Sequence, residues 1–131
     1  KLRPQMIGIG PFIPHHDTPF KDEPAGSVEL TLVLLAVLRL LFPRVLLPAT
    51  TALGTLAPGG RLLGIKAGAN VIMPNLSPQN VRGKYLLYDN KLHTGAEAAE
   101  ALNELQREVA SIGYRIVSAR GDYTEEPWMQ G

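Results

Sequence analysis

Val45-Leu46-Leu47-Pro48-Ala49-Thr50-Thr51 is a short apolar run that stops at a proline and two hydroxyls. Two other stretches follow the same grammar. Met6-Ile7-Gly8-Ile9-Gly10 leads into Pro14-His15-His16-Asp17, and Ala69-Asn70-Val71-Ile72-Met73 leads into Pro74-Asn75. Runs of this length with no alternation of polar and apolar residues fit strands buried on both faces, as in a parallel sheet covered by helices. In a β/α barrel the reactive groups gather where such strands end. Function is therefore expected at these three termini.

Working outward, residues 5–12 read as a first strand, with two glycines that let backbone or ligand approach closely. Ile13 to Ser27 reads as a polar loop, because Pro14, Pro19, Pro24 and Gly26 interrupt regular structure. Ser27 is a natural N-cap for a helix running to Phe42, and Pro43 is its stop signal. Arg44 to Thr51 is the second strand. Pro58-Gly59-Gly60 then opens a short helix over Arg61–Ala67 that Gly68 closes, and Ala69–Met73 is the third strand. This strand, helix, strand order calls for a right-handed crossover and parallel pairing. Beyond Pro74, Thr94-Gly95-Ala96-Glu97 forms a capping box. The helix it opens has an apolar stripe of Ala98, Leu102, Leu105, Val109 and Ile112, and Gly113 ends it. Tyr114–Ala119 reads as a last short strand, and Arg120–Gly131 as a polar tail.

A complete barrel of this kind takes about 250 residues, whereas 131 residues give three or four strands and two or three helices. The expected fold is therefore α/β, the C-terminal half of a TIM-type (β/α) barrel with parallel strands and a closing C-terminal extension. The opening at Lys1-Leu2-Arg3-Pro4, without methionine and close to the first strand, reads as the start of a C-terminal fragment.

Composition narrows the function classes. Thirteen basic side chains against twelve acidic ones leave a formal charge of +1, too small a field to recruit nucleic acid or anionic lipid. The longest apolar stretch, Val28 to Phe42, would span about 22 Å as a helix and carries Glu29 and Arg39, so it suits a core helix better than a membrane span. The chain has no cysteine. It can form no disulfide and offer no thiolate to zinc or to an iron–sulfur cluster.

Among the polar clusters, Thr50 and Thr51 offer two hydroxyls and a backbone amide to an anion or carboxylate, although threonine is also an ordinary strand and turn residue. Tyr85 and Tyr88, three apart, would share one side of a helical turn with their phenols free to donate, or would simply pack. His15, His16 and Asp17 include two metal-ligating imidazoles. Adjacent side chains rarely converge on one ion, and no third histidine stands at a ligand spacing, so no metal site is expected, and a His15 or His16 that faces substrate is the more credible role. Pro58-Gly59-Gly60-Arg61 lacks the Gly-x-x-x-x-Gly-Lys pattern of a phosphate loop and reads as a tight loop. No group presents itself as a catalytic acid, base or nucleophile.

The stretches Ile7–His15, Asp17–Phe20, Pro48–Gly54, Pro58–Arg61 and Gly68–Asn75 resemble radical S-adenosylmethionine enzymes of the biotin synthase and methylornithine synthase type. Within that group they resemble the maturases that help build the active-site cluster of iron-only hydrogenases. The likeness covers about residues 5–123, with five motifs in order. It implies that residues 1–73 form the C-terminal half of a barrel core, and that 74–131 correspond to the biotin and thiamin synthesis associated region. It also implies S-adenosylmethionine and a 4Fe-4S cluster as cofactors. The cysteine triplet that holds such a cluster is absent here, so the chain alone is expected to be inactive. By resemblance, Met6 would lie beside the cofactor, Thr50 and Thr51 would bind the substrate's anionic group, and Tyr85 and Tyr88 would flank the same cavity. A small-molecule or iron-complex substrate, hydrogenase maturation proteins as partners and a cytoplasmic location follow from the same likeness. Another family member, such as a methylornithine or biotin synthase, is the alternative within enzymes. The lack of cysteine and the compact length leave a non-catalytic small-anion binding module as the alternative outside them.

Overall fold

A computed structural model of the chain describes residues 3–74, 98–117 and 120–123. Helix α1 spans Val28–Leu41, close to the range its signals mark out. The Ser27 Oγ accepts the Leu30 amide at 3.0 Å, and the Thr31 hydroxyl donates back to the Ser27 carbonyl at 2.8 Å. At the other end the Phe42 amide reaches the Leu38 carbonyl at 2.8 Å before Pro43 stops the helix. Thr31 and Leu35 face the core, while Leu30, Val33, Leu34, Val37, Leu40 and Leu41 line the exposed side. Ser27→Ala removes a cap of the kind worth about 1 kcal/mol. Urea unfolding is expected to show a loss of that size, with Ser27→Asp retaining the wild-type midpoint.

The apolar run Val45–Ala49 is buried along its whole length, as a strand covered on both faces must be. It pairs on both edges, in parallel. On one side Met6 and Leu46 form an isolated parallel bridge, with the Ile7 amide donating to the Leu46 carbonyl at 2.9 Å and the Leu46 amide to the Gln5 carbonyl at 3.0 Å. On the other side strand β1, Pro48–Ala49, pairs with strand β2, Val71–Ile72, in the register Pro48 to Val71 and Ala49 to Ile72. The Asn70 side chain fixes that register by accepting the Leu47 amide at 2.8 Å.

The regular pairing is shorter than the expected strands 5–12, 44–51 and 69–73. Along a parallel strand, successive residues point their N–H groups to alternate edges. Leu46 points toward residues 5–7 and Leu47 toward residues 70–71, so Pro48 would point toward residues 5–7 again. It has no N–H to give, and the first pairing stops at a single bridge.

Directly after β1 the chain turns into helix α2, Thr51–Leu56, which the sequence reading did not assign. Helix α3, Gly60–Lys66, follows through the left-handed Gly59 (φ 67°), so the tight-loop reading of Pro58-Gly59-Gly60 holds. Gly60 and Gly64 are buried against α2 and β1: a Cβ on Gly60 would land on the Leu53 carbonyl, and one on Gly64 would lie 3.2 Å from the Leu53 side chain and 3.3 Å from the Ala49 Cβ. Helix α3 ends in a Schellman motif, with the Gly68 amide bonded to the Ile65 carbonyl and the Ala69 amide to the Gly64 carbonyl, both at 2.9 Å.

Helix α4, Ala98–Ser111, ends the same way at Gly113 (φ 84°), where the Tyr114 amide returns to the Val109 carbonyl at 3.2 Å. Leu105 and Val109 of its stripe join Leu35, Val45, Leu47, Ala49, Leu53, Ile65 and Ala69 in one core, with Ile112 packed at its margin. The expected strand over Tyr114–Ala119 is not found over 114–117, where the chain is irregular and Tyr114 and Val117 are exposed. Strand-prone residues still need a partner edge, and none lies beside them among the described residues. Ser118 and Ala119, the capping box at 94–97, Tyr85 and Tyr88 lie outside the described residues. No helix among the described residues is long and apolar enough to cross a membrane.

Candidate functional site

Because the three segments run parallel, their C-terminal ends gather on one edge, at Gly10, Thr50 and Met73. The first two meet directly. A Cβ built on Gly10 would lie 2.8 Å from the Thr50 Oγ1 and 3.3 Å from its Cγ2, so only glycine lets the first segment pass this close to the threonine.

Thr50 is the N-cap of α2, with an extended backbone (φ −70°, ψ 154°), yet its side chain makes no capping hydrogen bond. A threonine at this position normally turns its oxygen back to a first-turn amide. Here the Oγ1 is buried and makes no hydrogen bond. A buried hydroxyl without a partner costs about 1–3 kcal/mol, so such a group in a folded protein calls for a partner, a bound ligand or an ordered water among them. Thr51 is the first residue of α2 and half-buried; its carbonyl accepts the Thr55 hydroxyl at 3.1 Å.

The other expected site residues are placed as follows. Met6 is carried beside Leu46 by the parallel bridge, with about half of its surface exposed (49%). His15 and His16 lie on a loop that starts from the same edge. The Gly26 amide donates to the Phe12 carbonyl at 2.8 Å, and Phe12 meets Phe20 edge to face with ring centres 6.4 Å apart. The stretch 12–26 is therefore a closed Ω-type loop. Within it the Asp17 amide donates to the His15 Nδ1 at 3.1 Å, and the Thr18 hydroxyl donates to the His15 carbonyl at 2.9 Å. The three neighbours 15, 16 and 17 do converge, contrary to the general expectation for adjacent side chains: one ligand atom from each lies within 4.8 Å of the others.

Two contributors were not found from the sequence. Gly10 could have been noticed only as a glycine at a strand end, since its contact with Thr50 is tertiary. Arg39, on the inner side of α1, donates from Nε to the Gly68 carbonyl at 2.8 Å and from Nη1 to the carbonyls of Pro43 at 2.8 Å and Val45 at 3.0 Å. Burial lowers its guanidinium pKa below the ordinary arginine value. It ties α1 to the start of the central strand and to the turn before β2, which holds the site's walls together.

The donor set also bears on cofactors. Neither the described residues nor the sequence contains a thiolate, so this chain cannot ligate an iron–sulfur cluster of the cysteine-bound kind. The unpartnered Thr50 hydroxyl suits an oxygen-rich ligand instead.

Comparison with known proteins gives the chain relatives. It is 53% identical over 87 residues to the FeFe hydrogenase maturase subunit HydE of Thermotoga maritima, a match covering 66% of this chain and 25% of that protein. It is 30% identical over 113 residues to the 3-methylornithine synthase of Methanosarcina barkeri and 29% identical over 113 residues to that of Methanosarcina acetivorans, each match covering 86% of this chain and 29% of the relative. The chain thus spans roughly a quarter of the length of the curated relatives it matches. No protein-family profile matches it. The resemblance carried by the five motifs is borne out: the chain is a homologue of part of the HydE maturase and, more distantly, of the 3-methylornithine synthases, within the radical S-adenosylmethionine enzymes.

Proposed function

We propose that this HydE homologue supplies one wall of the reaction chamber of a radical S-adenosylmethionine enzyme that acts in hydrogenase maturation. The observation that carries the reading is the buried, unpartnered Thr50 hydroxyl at the shared end of three parallel segments, in a chain 53% identical to a hydrogenase maturase over 87 residues. In this reading residues 1–73 are the C-terminal half of a (β/α) barrel and 74–131 the region that closes it. Thr50 and Thr51 hold the anionic group of a small-molecule or iron-complex substrate, Tyr85 and Tyr88 flank it, and Met6 borders the S-adenosylmethionine. The 4Fe-4S cluster is held by cysteines outside these 131 residues. Hydrogenase maturation proteins are the partners, and the cytoplasm is the compartment.

The chamber's part in the chemistry is positional. When bound at a 4Fe-4S cluster, S-adenosylmethionine would supply radical chemistry that is unselective in open solution, so the residues of this wall would have to keep water out and hold the substrate at one distance. The walls on either side of Thr50 suit that task, since Leu47, Ala49 and Leu53 are all buried.

The test uses Thr50→Val in the complete maturase. Valine keeps the shape and removes the hydroxyl. In the absence of substrate, the unfolding midpoint is expected to stay level or rise, by about 1 kcal/mol of stability, because an unpaired polar atom is gone. The substrate concentration at half-saturation is expected to rise about tenfold, the effect of one lost hydrogen bond to a charged group. An unchanged substrate dependence would remove Thr50 from the site. The matches to 3-methylornithine synthases favour a second reading, rearrangement of an amino acid such as lysine. Release of a methylornithine-type product from lysine by the complete enzyme would decide for it.

A further inference from the structure

Adjacency along the chain argues against His15, His16 and Asp17 sharing one ion, and at the mouth of the proposed chamber they have no more than a supporting role. The fold nevertheless brings one donor atom of each within 4.8 Å of the other two. The His16 Nε2 and an Asp17 carboxylate oxygen are already 3.3 Å apart. Two ligands on one tetrahedral zinc, each with a bond of about 2.0–2.1 Å, stand about 3.3–3.4 Å from one another. The pair therefore has the spacing that an ion requires. The His15 and His16 rings stack with centres 4.4 Å apart and planes 20° from parallel; imidazole lone pairs lie in the ring plane, so one ring has to turn out of the stack to share an ion, which the 63% exposed His16 side chain has room to do.

We propose that His15, His16 and Asp17 bind a divalent transition-metal ion of the zinc class, through two imidazoles and one carboxylate, leaving its remaining positions to water or a small oxygen ligand. Two imidazole nitrogens and a carboxylate oxygen suit zinc, iron, nickel and copper, and disfavour magnesium and calcium, which prefer all-oxygen shells. The His15 Nδ1 accepts the Asp17 amide at 3.1 Å, so the neutral ring carries its proton on Nε2. The ion enters at Nδ1 and displaces the amide, which turns to solvent. The closure of the loop by Gly26 and Phe12 holds its ends while this exchange takes place.

The ordinary alternative is an exposed ion pair: the His16 and Asp17 side chains are 63% and 77% exposed, and such pairs contribute little to stability. That role leaves the convergence of His15 unused.

The experiment is a zinc titration of the full 131-residue chain against a chromogenic chelator, independent of any enzymatic activity and of the proposed chamber. One equivalent of zinc per chain, bound with micromolar affinity, is expected. His16→Ala and Asp17→Asn are each expected to weaken binding at least tenfold, while His93→Ala, at the remaining histidine, leaves it unchanged. X-ray absorption at the zinc edge is expected to show two imidazole shells. Circular dichroism confirms that the exposed variants keep their helices. Absence of stoichiometric binding, or binding that His16→Ala does not alter, overturns the proposal.

Discussion

Gly60→Ala is expected to destabilise the protein by about 3 kcal/mol, at the upper end of what overpacking a core produces. The added methyl would land on the Leu53 carbonyl, which accepts the Ala57 amide at 3.1 Å at the end of α2. Backbone cannot swing aside as a long side chain does, so α2 and α3 must separate, and Leu53, fully buried between them, loses its packing. Gly59→Ala is the control. Gly59 has φ 67° with nothing within 4 Å of a built Cβ, so alanine there meets only the left-handed backbone penalty of about 1 kcal/mol. Urea unfolding of the two variants should differ by roughly 2 kcal/mol. Equal losses would mean that α2 and α3 do not pack through Gly60.

Arg39→Ala is expected to cost about 3 kcal/mol as well, by a different route. One guanidinium serves the carbonyls of Gly68, Pro43 and Val45, and hydrogen bonds from a charged donor contribute about 1.5–3 kcal/mol each before the remaining groups relax toward water. Three parts of the chain lose a common anchor: the end of α1, the entry to the central strand and the turn before β2. Arg39→Lys is expected to recover less than half of the loss, since a single ammonium cannot fork toward Gly68 and Val45 together. Denaturant midpoints of the three proteins measure the order, and a lysine variant as stable as wild type would show that charge alone suffices.

The parts of this fold legible in the sequence are those set by neighbours along the chain. Ser27, Pro43, Gly68 and Gly113 each mark a boundary through a local hydrogen bond or a backbone angle, and α1 and the ends of α3 and α4 lie within a residue or two of where those signals put them. The lengths of the strands depend on what stands across the sheet. Pro48 truncates the pairing with residues 5–7, and the apolar residues Tyr114, Ile116 and Val117 find no edge to join over the described residues. Helix α2 was missed because Thr-Ala-Leu-Gly-Thr-Leu is too short for a periodic stripe and contains a glycine and two β-branched residues. Thr50 was readable as a hydroxyl at a strand end. That its oxygen would be buried without a partner was not, because that depends on Gly10, forty residues away.

The bond from the Gly26 amide to the Phe12 carbonyl separates the stretch between them from the body of the protein. A side chain at Gly26 would collide with the Phe12 amide at 2.7 Å, so the clasp tolerates no other residue, whereas most of the polypeptide it encloses faces solvent. Residues 13–25 can therefore be rewritten as an interchangeable cassette, altering what stands beyond the end of the first parallel segment while the sheet and the first helix keep their positions.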